Sequence, residues 1–254
     1  MKDIHPNAQI GKDTVISNFT TIYDNVIIGD NCWIGANVTI FSGTRIGNNC
    51  KIFPGAVIGA EPQDLKFNGE YSTVEIGDYV TIRECATINR GTAALGTTKV
   101  GDYCLIMAYV HIAHDCIVGN NCILANSTNL AGHVIIDDHV YFGGMSGIHQ
   151  FVRVGRHAFI SGGTMLGKDV PPYCMVIGTP PQYAGINTVG LKRHQFAQND
   201  IHHIQDIYRI LFGSGLNTKQ AIEKISSEIK ETEIRNHIIN YICLSERGII
   251  KGVR

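Results

Sequence analysis

Four of the chain's 11 histidines fall close together in the sequence: His111, His114, His133 and His149. An imidazole that titrates near neutral pH can take a proton from a substrate hydroxyl group and so act as a general base. Asp115 follows His114 and is the only nearby carboxylate that could fix the tautomer of its ring. The same histidines could instead bind a metal ion, with His111 and His114 as two of the ligands. No obvious acidic or cysteine ligand converges with that pair, so we favour a general base; polar corner residues with satisfied hydrogen bonds are a third interpretation.

A repeat of six residues decides where these histidines lie. Apolar residues recur at every sixth position through the runs 10–58, 76–88 and 100–166, which together hold 24 such positions. An α-helix repeats its apolar face every 3.6 residues and a β-strand every two, so this period is typical of neither alone. It is typical of a hexapeptide solenoid, in which short strands and turns wind into a coil. With three hexapeptides per coil at ~4.8 Å, the prism would be on the order of 40 Å tall.

This winding predicts that the histidines gather on one edge. A step of three hexapeptides moves one coil along the same column, so Gly132 and Gln150 should stack on His114. His133 and His149 flank that column in the sequence. We therefore expect the candidate residues to converge along a single edge of the prism.

Two interruptions break the repeat, at residues 60–73 and 90–99. A solenoid core needs neither, so we expect both to be external loops with another role. The first carries the polar residues Gln63, Asp64 and Lys66. They could form a solvated surface, or they could reach the site of a neighbouring subunit, because flat-sided prisms can pack side by side as a homotrimer.

The composition changes near residue 190, after which only four of the 28 glycines remain. We expect a hexapeptide-repeat β-helix over residues 1–190 and a small helical domain, for capping or oligomerisation, over residues 191–254. The fold class is therefore mainly β with a small C-terminal α-helical part.

Three helices are expected in the tail. Asn199 can cap the first, which Gly213 and Gly215 would end, and Thr218 can start the second. The apolar spacing of residues 234–244 predicts the third.

Charge and composition exclude several classes of function. The formal net charge of −1 and the absence of a basic block argue against nucleic acid as a partner. No apolar run approaches the ~18 residues needed for a membrane span, and residues 1–11 lack the apolar segment of a signal peptide. We expect a soluble, cytoplasmic protein, whose cysteines mostly occupy small-residue positions of the repeat as buried free thiols.

Several motifs resemble the UDP-N-acetylglucosamine acyltransferase family, which catalyses the first step of lipid A biosynthesis. They lie at residues 63–66 (QDLK), 90–92 (RGT), 111–116 (HIAHDC), 130–134 (LAGHV), 149–151 (HQF), 169–173 (DVPPY) and 190–193 (GLKR). Many acyltransferases share the hexapeptide repeat, whereas QDLK, HIAHDC and the helical tail together are specific, and the resemblance covers essentially the whole chain. It implies a left-handed parallel β-helix that forms a homotrimer with sites between subunits, and it implies no metal and no other cofactor.

The resemblance also implies a reaction and a set of residues. A 3-hydroxyacyl chain would pass from acyl carrier protein to the glucosamine 3-hydroxyl of UDP-N-acetylglucosamine. His114 would be the general base, Asp115 would orient it, and the backbone N–H of Gly132 would stabilise the oxyanion. Gly162 lies where the family sets acyl length, and a glycine there favours a long chain. The residues implied to bind nucleotide sugar or acyl donor are Gln63, Asp64, Lys66, His111, His133, His149, Gln150, Asn187 and Arg193.

Three positions depart from the enterobacterial pattern of this family. Asn89 stands where a histidine often precedes Arg-Gly-Thr, Val189 replaces an acidic residue, and His194 replaces an arginine. These changes bear on contacts to the uridine diphosphate group and not on acyl transfer.

Three other functions are compatible with a hexapeptide prism. The N-acyltransferase of the same pathway should carry an extra N-terminal domain, for which a repeat that begins at Ile10 leaves no room. A γ-type carbonic anhydrase would bind zinc through histidines between subunits. A catalytically silent scaffold would need none of the histidines.

Overall fold

The computed structural model describes residues 1–252 of the protein. Its main part is a parallel β-helix with three faces, in which each coil contributes one short strand to each of three sheets. Strands of successive coils pair in parallel, so that Ile112 lies beside Leu130 and Leu130 beside Ile148. The coil of three hexapeptides expected from the sequence is confirmed.

The strands of each sheet follow one another along the prism, within residues 1–252. The first sheet contains β1 (Asp3–Ile4), β4 (Thr21–Ile22), β7 (Thr39–Ile40), β10 (Val57–Ala60), β13 (Thr87–Asn89), β16 (His111–Ile112), β19 (Asn129–Leu130), β22 (Gly147–Ile148) and β25 (Met165–Leu166). The second contains β2 (Gln9–Ile10), β5 (Ile27–Ile28), β8 (Thr44–Ile46), β11 (Thr73–Ile76), β14 (Thr97–Val100), β17 (Ile117–Val118), β20 (Ile135–Ile136) and β23 (Arg153–Val154). The third contains β3 (Val15–Ile16), β6 (Trp33–Ile34), β9 (Lys51–Ile52), β12 (Thr81–Ile82), β15 (Leu105–Ile106), β18 (Ile123–Leu124), β21 (Tyr141–Phe142), β24 (Phe159–Ile160), β26 (Cys174–Ile177), β27 (Gln182–Ile186) and β28 (Lys251–Gly252).

The repeated apolar residues fill the inside of the prism. Every predicted interior position from Ile16 to Leu166 is buried, whereas Ile10, near the open end, is partly exposed. Burying each such side chain stabilises the fold by roughly 1.5–3 kcal/mol before the entropy of ordering is subtracted. The cysteines at small-residue positions of the repeat are buried and free, as expected, whereas Cys85, at a corner, is exposed.

The corners between sheets are built on left-handed backbone. The third residue after most interior positions has a positive φ, which is 58° at Asp115, 61° at His133 and 57° at His157. Asn, Asp and His enter this region more readily than most residues with a side chain. We call the corner between the first and second sheets the first edge, and the corner between the second and third sheets the second edge. Asp115, His133 and Phe151 stack along the first edge, one coil apart.

The two interruptions of the repeat form loops that contact each other. The first loop connects β10 to β11, and the second connects β13 to β14. Glu70 in the first loop accepts a 3.0 Å hydrogen bond from the backbone N–H of Ala93 in the second. Arg90 forms a 3.2 Å ion pair with Glu61. The first loop therefore supports the second against the prism.

The C-terminal part contains an antiparallel hairpin and four helices. The hairpin joins β26 to β27 and extends the third sheet. The helices are α1 (Thr188–Arg193), α2 (Gln198–Gly213), α3 (Thr218–Glu228) and α4 (Glu233–Cys243). The sequence predicts neither the hairpin nor α1, and α1 spans residue 190.

The three predicted helices are present, with bounds that differ from the prediction by one or two residues. Asn199 is not the cap of α2: the helix begins at Gln198, so Asn199 is already inside it, and Ala197 precedes it without a side-chain hydrogen bond. Helix α3 begins at Thr218 as predicted, and the side chain of Asn217 caps it. The third predicted helix corresponds to α4.

The helices cover one end of the prism and continue its core. Tyr208 of α2 is fully buried, and its hydroxyl donates a 2.5 Å hydrogen bond to the carbonyl of Pro172. One apolar cluster runs from the coils into the helices. Among the helices of residues 1–252, none has the length and apolar composition that crossing a bilayer requires.

Candidate active site

His114 lies on the first edge, in the turn between β16 and β17. It is 5% exposed, and its Nδ1 lies 2.9 Å from Oδ2 of Asp115. Adjacent residues on a strand point to opposite faces, but the left-handed backbone at Asp115 turns the two side chains toward each other. The sequence left this pairing open, and the corner geometry explains why it forms.

The carboxylate of Asp115 is fully buried and accepts hydrogen bonds on both oxygens. Oδ1 accepts from the backbone N–H groups of Thr92 (3.0 Å) and Leu95 (3.2 Å), and Oδ2 accepts from the hydroxyl of Thr92 at 2.6 Å. Burial acts to raise the pKa of Asp115, but the hydrogen bonds from Thr92 and His114 outweigh it, so the pKa lies below its usual value. The group is therefore an ionised acceptor near neutral pH.

This charge decides the tautomer of His114. An ionised carboxylate can only accept a hydrogen bond, so Nδ1 of His114 carries the proton and donates it to Asp115. Nε2 is left with its lone pair. Such a ring can take a proton from a hydroxyl group, and the carboxylate stabilises the imidazolium that forms.

The second loop was an unexplained interruption in the sequence, and the structure gives it a role. It supplies Thr92 and Leu95, which provide three of the hydrogen bonds to Asp115. Sequence reasoning missed Thr92, because the loop has no period that relates it to the coils. The available signals were the break of the repeat one coil before His114 and the RGT motif at residues 90–92, to which no role was assigned.

Gly132 stacks on His114, as the 18-residue column predicts. A Cβ at Gly132 would lie 2.5 Å from Cε1 and 2.6 Å from Nε2 of His114, so only glycine fits against this ring. Within residues 1–252, the backbone N–H of Gly132 donates to no protein acceptor. It is therefore free to donate to a charge that develops beside the imidazole.

His133 closes one side of this arrangement. Its ring stacks on Phe151 with 4.6 Å between centroids and meets His114 edge to face at 5.1 Å. Its Nε2 lies 3.8 Å from Oδ2 of Asp115, which is too long for a hydrogen bond. His133 therefore packs against the pair of His114 and Asp115 without competing for the proton.

A groove of about 630 Å³ opens in front of His114. Its apolar wall includes Leu130, Ile148, Met165 and Leu166, which suits a hydrocarbon chain. Six of the predicted residues line it: Gln63, His111, His114, Gly132, His149 and Gln150.

The histidines beside the groove differ in their surroundings. Nδ1 of His111 lies 2.7 Å from the hydroxyl of Thr87. Burial, followed by the charge of His114, lowers the pKa of His111, so this ring is neutral near pH 7. His149 is exposed, with Nδ1 3.2 Å from the carbonyl of Gln150.

The other predicted residues of the first loop do not line this groove. Asp64 accepts a 3.0 Å hydrogen bond from the backbone N–H of Lys66 and so stabilises its own turn. The side chain of Lys66 is exposed.

The predicted residues near the C-terminal part also lie outside the groove. Asn187 caps α1: its side chain accepts from Gly190 N–H at 3.0 Å and donates to the carbonyl of His157 at 2.9 Å. Arg193 is exposed at the end of that helix, and Gly162 is exposed on the coil next to Gly144. The structure of one chain does not bring these three residues to His114.

The three departures from the family pattern have separate roles. Asn89 is buried, and its side chain donates to the carbonyl of Glu61 at 2.9 Å, which attaches the first loop to β13. Val189 is exposed in α1. His194 packs against His139 and His157 on the second edge.

A metal site at His114 is disfavoured by the hydrogen bonds of Asp115. Ligand atoms of His114, Asp115 and His133 lie within 4.8 Å of one another, a spacing that a metal ion could bridge. Binding through Asp115 would displace donors that already occupy both of its oxygens. The geometry therefore favours a general base over a metal site.

Family profiles match both parts of the chain. A profile described as UDP N-acetylglucosamine O-acyltransferase, domain 2, matches residues 169–250. A bacterial transferase hexapeptide profile matches residues 7–42 and 97–132, and a hexapeptide profile of succinyl-transferases matches residues 25–60.

Three relatives that match nearly the whole chain share one name. An acyl-[acyl-carrier-protein]–UDP-N-acetylglucosamine O-acyltransferase from Xylella fastidiosa is 44% identical over 253 residues, covering 98% of this chain and 95% of its own. The crystal structure of a UDP-N-acetylglucosamine acyltransferase from Bacteroides fragilis superimposes with a TM-score of 0.96 at 50% identity, covering 98% of each chain. The enzyme of that name from Francisella novicida superimposes with a TM-score of 0.95 at 43% identity, over 98% of this chain and 92% of the other.

Proposed function

This chain belongs to the UDP-N-acetylglucosamine O-acyltransferase family, and we propose that it transfers a 3-hydroxyacyl chain from acyl carrier protein to the glucosamine 3-hydroxyl of UDP-N-acetylglucosamine, the first step of lipid A biosynthesis. The observation that carries this proposal is the alignment of His114 between an ionised partner and a free backbone donor. Asp115 lies 2.9 Å from Nδ1, and Gly132 lies against Nε2. Both parts of a base-assisted acyl transfer are therefore present at one corner.

The reaction follows from these positions. Nε2 of His114 takes the proton of the sugar hydroxyl as its oxygen attacks the carbonyl carbon of the thioester. The carbonyl oxygen becomes an oxyanion, which the Gly132 N–H stabilises. Collapse of this intermediate breaks the carbon–sulfur bond, and the imidazolium returns its proton to the thiolate of the carrier. The chemistry needs no metal and no other cofactor.

The groove suggests where each of the two substrates binds. Gln63, His149 and Gln150 offer polar contacts for the nucleotide sugar, and the apolar wall suits the acyl chain. His111, which is neutral and hydrogen-bonded to Thr87, would lie beside the acceptor sugar. His133 packs behind His114.

Three of the predicted residues outside the groove would act on a second subunit in this proposal. Asp64, Lys66 and Arg193 would reach a neighbour's groove in a homotrimer, in which flat faces of the prisms pack together. Asn187 would act by holding α1, since its cap and its bond to His157 use its side chain. Gly162 would leave room for a long acyl chain.

A cytoplasmic location fits the chemistry of the thiols. All eight cysteines are free. Free thiols in this number are usual in a reducing compartment.

The relatives' names favour this O-acyltransferase over the N-acyltransferase and the γ-type carbonic anhydrase. An assay separates the three directly. Purified protein is incubated with 3-hydroxyacyl-acyl carrier protein of several chain lengths. The acceptor is UDP-N-acetylglucosamine, its 3-amino analogue, or UDP-3-O-acyl-glucosamine, whose 2-amino group is free. We expect transfer to UDP-N-acetylglucosamine without added metal. Transfer only to the free 2-amino group of UDP-3-O-acyl-glucosamine would refute the proposal. Hydration of carbon dioxide, measured in a separate assay, would also refute it.

His114→Ala tests the assigned base. Loss of a general base should lower the rate by ~10²–10⁴-fold while the fold persists. The matched control is His202→Ala, an exposed histidine of α2. Equal rates in the two variants would show that His114 is not the base.

Light scattering of the purified protein tests the trimer independently of activity.

A further inference from the structure

A second cluster of histidines lies on the second edge, away from His114. His139 and His157 occupy left-handed corners one coil apart, and their rings stack with 4.6 Å between centroids and 6° between planes. His194, which follows α1, meets the stack from the side. Its centroid lies 4.6 Å from that of His139 and 5.0 Å from that of His157.

Hydrogen bonding within the protein leaves this cluster incomplete. His157 is 7% exposed, and Nδ1 of both His139 and His157 is buried with no hydrogen-bond partner among the described residues. A buried polar atom without a hydrogen-bond partner lowers the stability of the fold. The unpaired nitrogens on these two adjacent rings therefore need a physical explanation. One ligand nitrogen from each of the three histidines lies within 4.8 Å of the other two.

We propose that His139, His157 and His194 bind one Zn²⁺ ion on the second edge. Zinc takes imidazole nitrogens at ~2.0–2.1 Å, and three histidines with one open position are a known ligand set for this metal. Ligand nitrogens up to 4.8 Å apart must approach one another to share an ion. The parallel rings of His139 and His157 must therefore turn out of their stack, and the exposed His194, just beyond the last turn of α1, must move toward them.

The electrostatics of the cluster suit neutral imidazole ligands. His157 is 7% exposed and stacked between His139 and Tyr173, surroundings that favour the neutral imidazole that a metal ion binds. The nearby charges are Asp138 and Arg156, which oppose each other at His139. The site therefore carries little net charge of its own before the ion binds.

The ion would attach the end of α1 to the prism. His194 directly follows Arg193, so a bond from His194 to the ion would fix where Arg193 lies. Stacking alone offers a competing explanation, because His157 also contacts Tyr173 and Phe196 in the same aromatic column.

The test is direct metal binding to protein freed of metal. Titration with Zn²⁺, followed by calorimetry, and with Co²⁺, followed by its visible absorption, should give one ion per chain at micromolar concentrations. His194→Arg removes one of three ligands and should weaken binding by more than the ~10–100-fold that loss of an outer hydrogen-bond partner of a ligand costs. His139→Phe keeps the aromatic stack and should weaken binding equally.

Two controls make the outcome unambiguous. His202→Arg, on the exposed face of α2, should bind as the unaltered protein does. His133→Gln alters the histidine cluster at the first edge and should also leave binding unchanged. Circular dichroism establishes that each variant is folded. Two outcomes would overturn the proposal: no stoichiometric binding of the ion, or binding that His133→Gln abolishes and His139→Phe leaves intact. Neither outcome would bear on acyl transfer, which is measured separately.

Discussion

Replacement of Gly132 by alanine should disable the site through one methyl group. The new Cβ would lie 2.5 Å from Cε1 and 2.6 Å from Nε2 of His114. Non-bonded carbon atoms prefer about 3.5–4.0 Å, so the ring would have to move by roughly 1 Å. That movement would disturb the 2.9 Å hydrogen bond to Asp115.

The expected cost can be estimated from this displacement. A misplacement of roughly 1 Å in a reacting group can lower the rate about 10²-fold. At ~1.36 kcal/mol per tenfold, this equals about 2.7 kcal/mol of transition-state free energy. The backbone N–H of residue 132 remains in the variant, so the loss would report on the position of the base and not on the oxyanion donor.

Initial rates of acyl transfer to UDP-N-acetylglucosamine measure this effect. Gly132→Ala should lower kcat, and circular dichroism should show an intact β-helix. Gly213→Ala is the matched control, because the nearest atom to its new Cβ is Cγ of Arg209 at 3.9 Å. If the methyl group acts by displacing the ring, then it should have little further effect in a His114→Ala background. Full activity of Gly132→Ala, or an equal loss in both backgrounds, would refute the reasoning.

Two further predictions concern buried hydrogen bonds. Thr92→Val removes the hydroxyl that donates a 2.6 Å hydrogen bond to Asp115. We expect it to lower the free energy of unfolding at pH 7 by roughly 1.5–3 kcal/mol. Because the folded pKa of Asp115 is lowered, the stability from its ionised form is present above the unfolded value of ~3.9 and is lost as pH falls below it. The difference in unfolding free energy between Thr92→Val and the unaltered protein, measured by urea unfolding, should therefore narrow as the pH falls below ~3.9. A difference that stays constant with pH would contradict the assigned role. Tyr208→Phe leaves the carbonyl of Pro172 without its buried donor and should lower the unfolding free energy from urea titration by about 1–3 kcal/mol at unchanged slope, with no change meaning that the bond is not stabilising.

The coil and its columns follow from the sequence because both depend on one period. The apolar residue at every sixth position must face the interior. This period alone predicts that Gly132 stacks on His114. The contact between His114 and Asp115 was less certain, since a strand would separate neighbouring side chains. The left-handed corner decides it, and only the backbone reveals that corner.

Features without a period escaped prediction. Thr92 reaches Asp115 from a loop whose path depends on contacts with the first loop, such as Glu70 with Ala93. The hairpin and α1 follow the last coil, where the chain no longer repeats. The stack of His139 and His157 obeys the 18-residue rule, but the ring that completes the cluster, His194, comes from outside the repeat.

The column geometry restricts how such a protein can change in length. Ile88 pairs with Ile58 on one side and with Ile112 on the other, although a loop intervenes each time, so the extra residues leave the winding in phase. Duplicating a whole turn would therefore move every later corner by ~4.8 Å along the axis and keep its neighbours. Inserting a single wound hexapeptide between His114 and Gly132 would instead rotate everything downstream by about a third of a revolution and separate the two residues. Evolution of this scaffold should thus proceed by whole turns, or by bulges that leave and rejoin the spiral at the same angle.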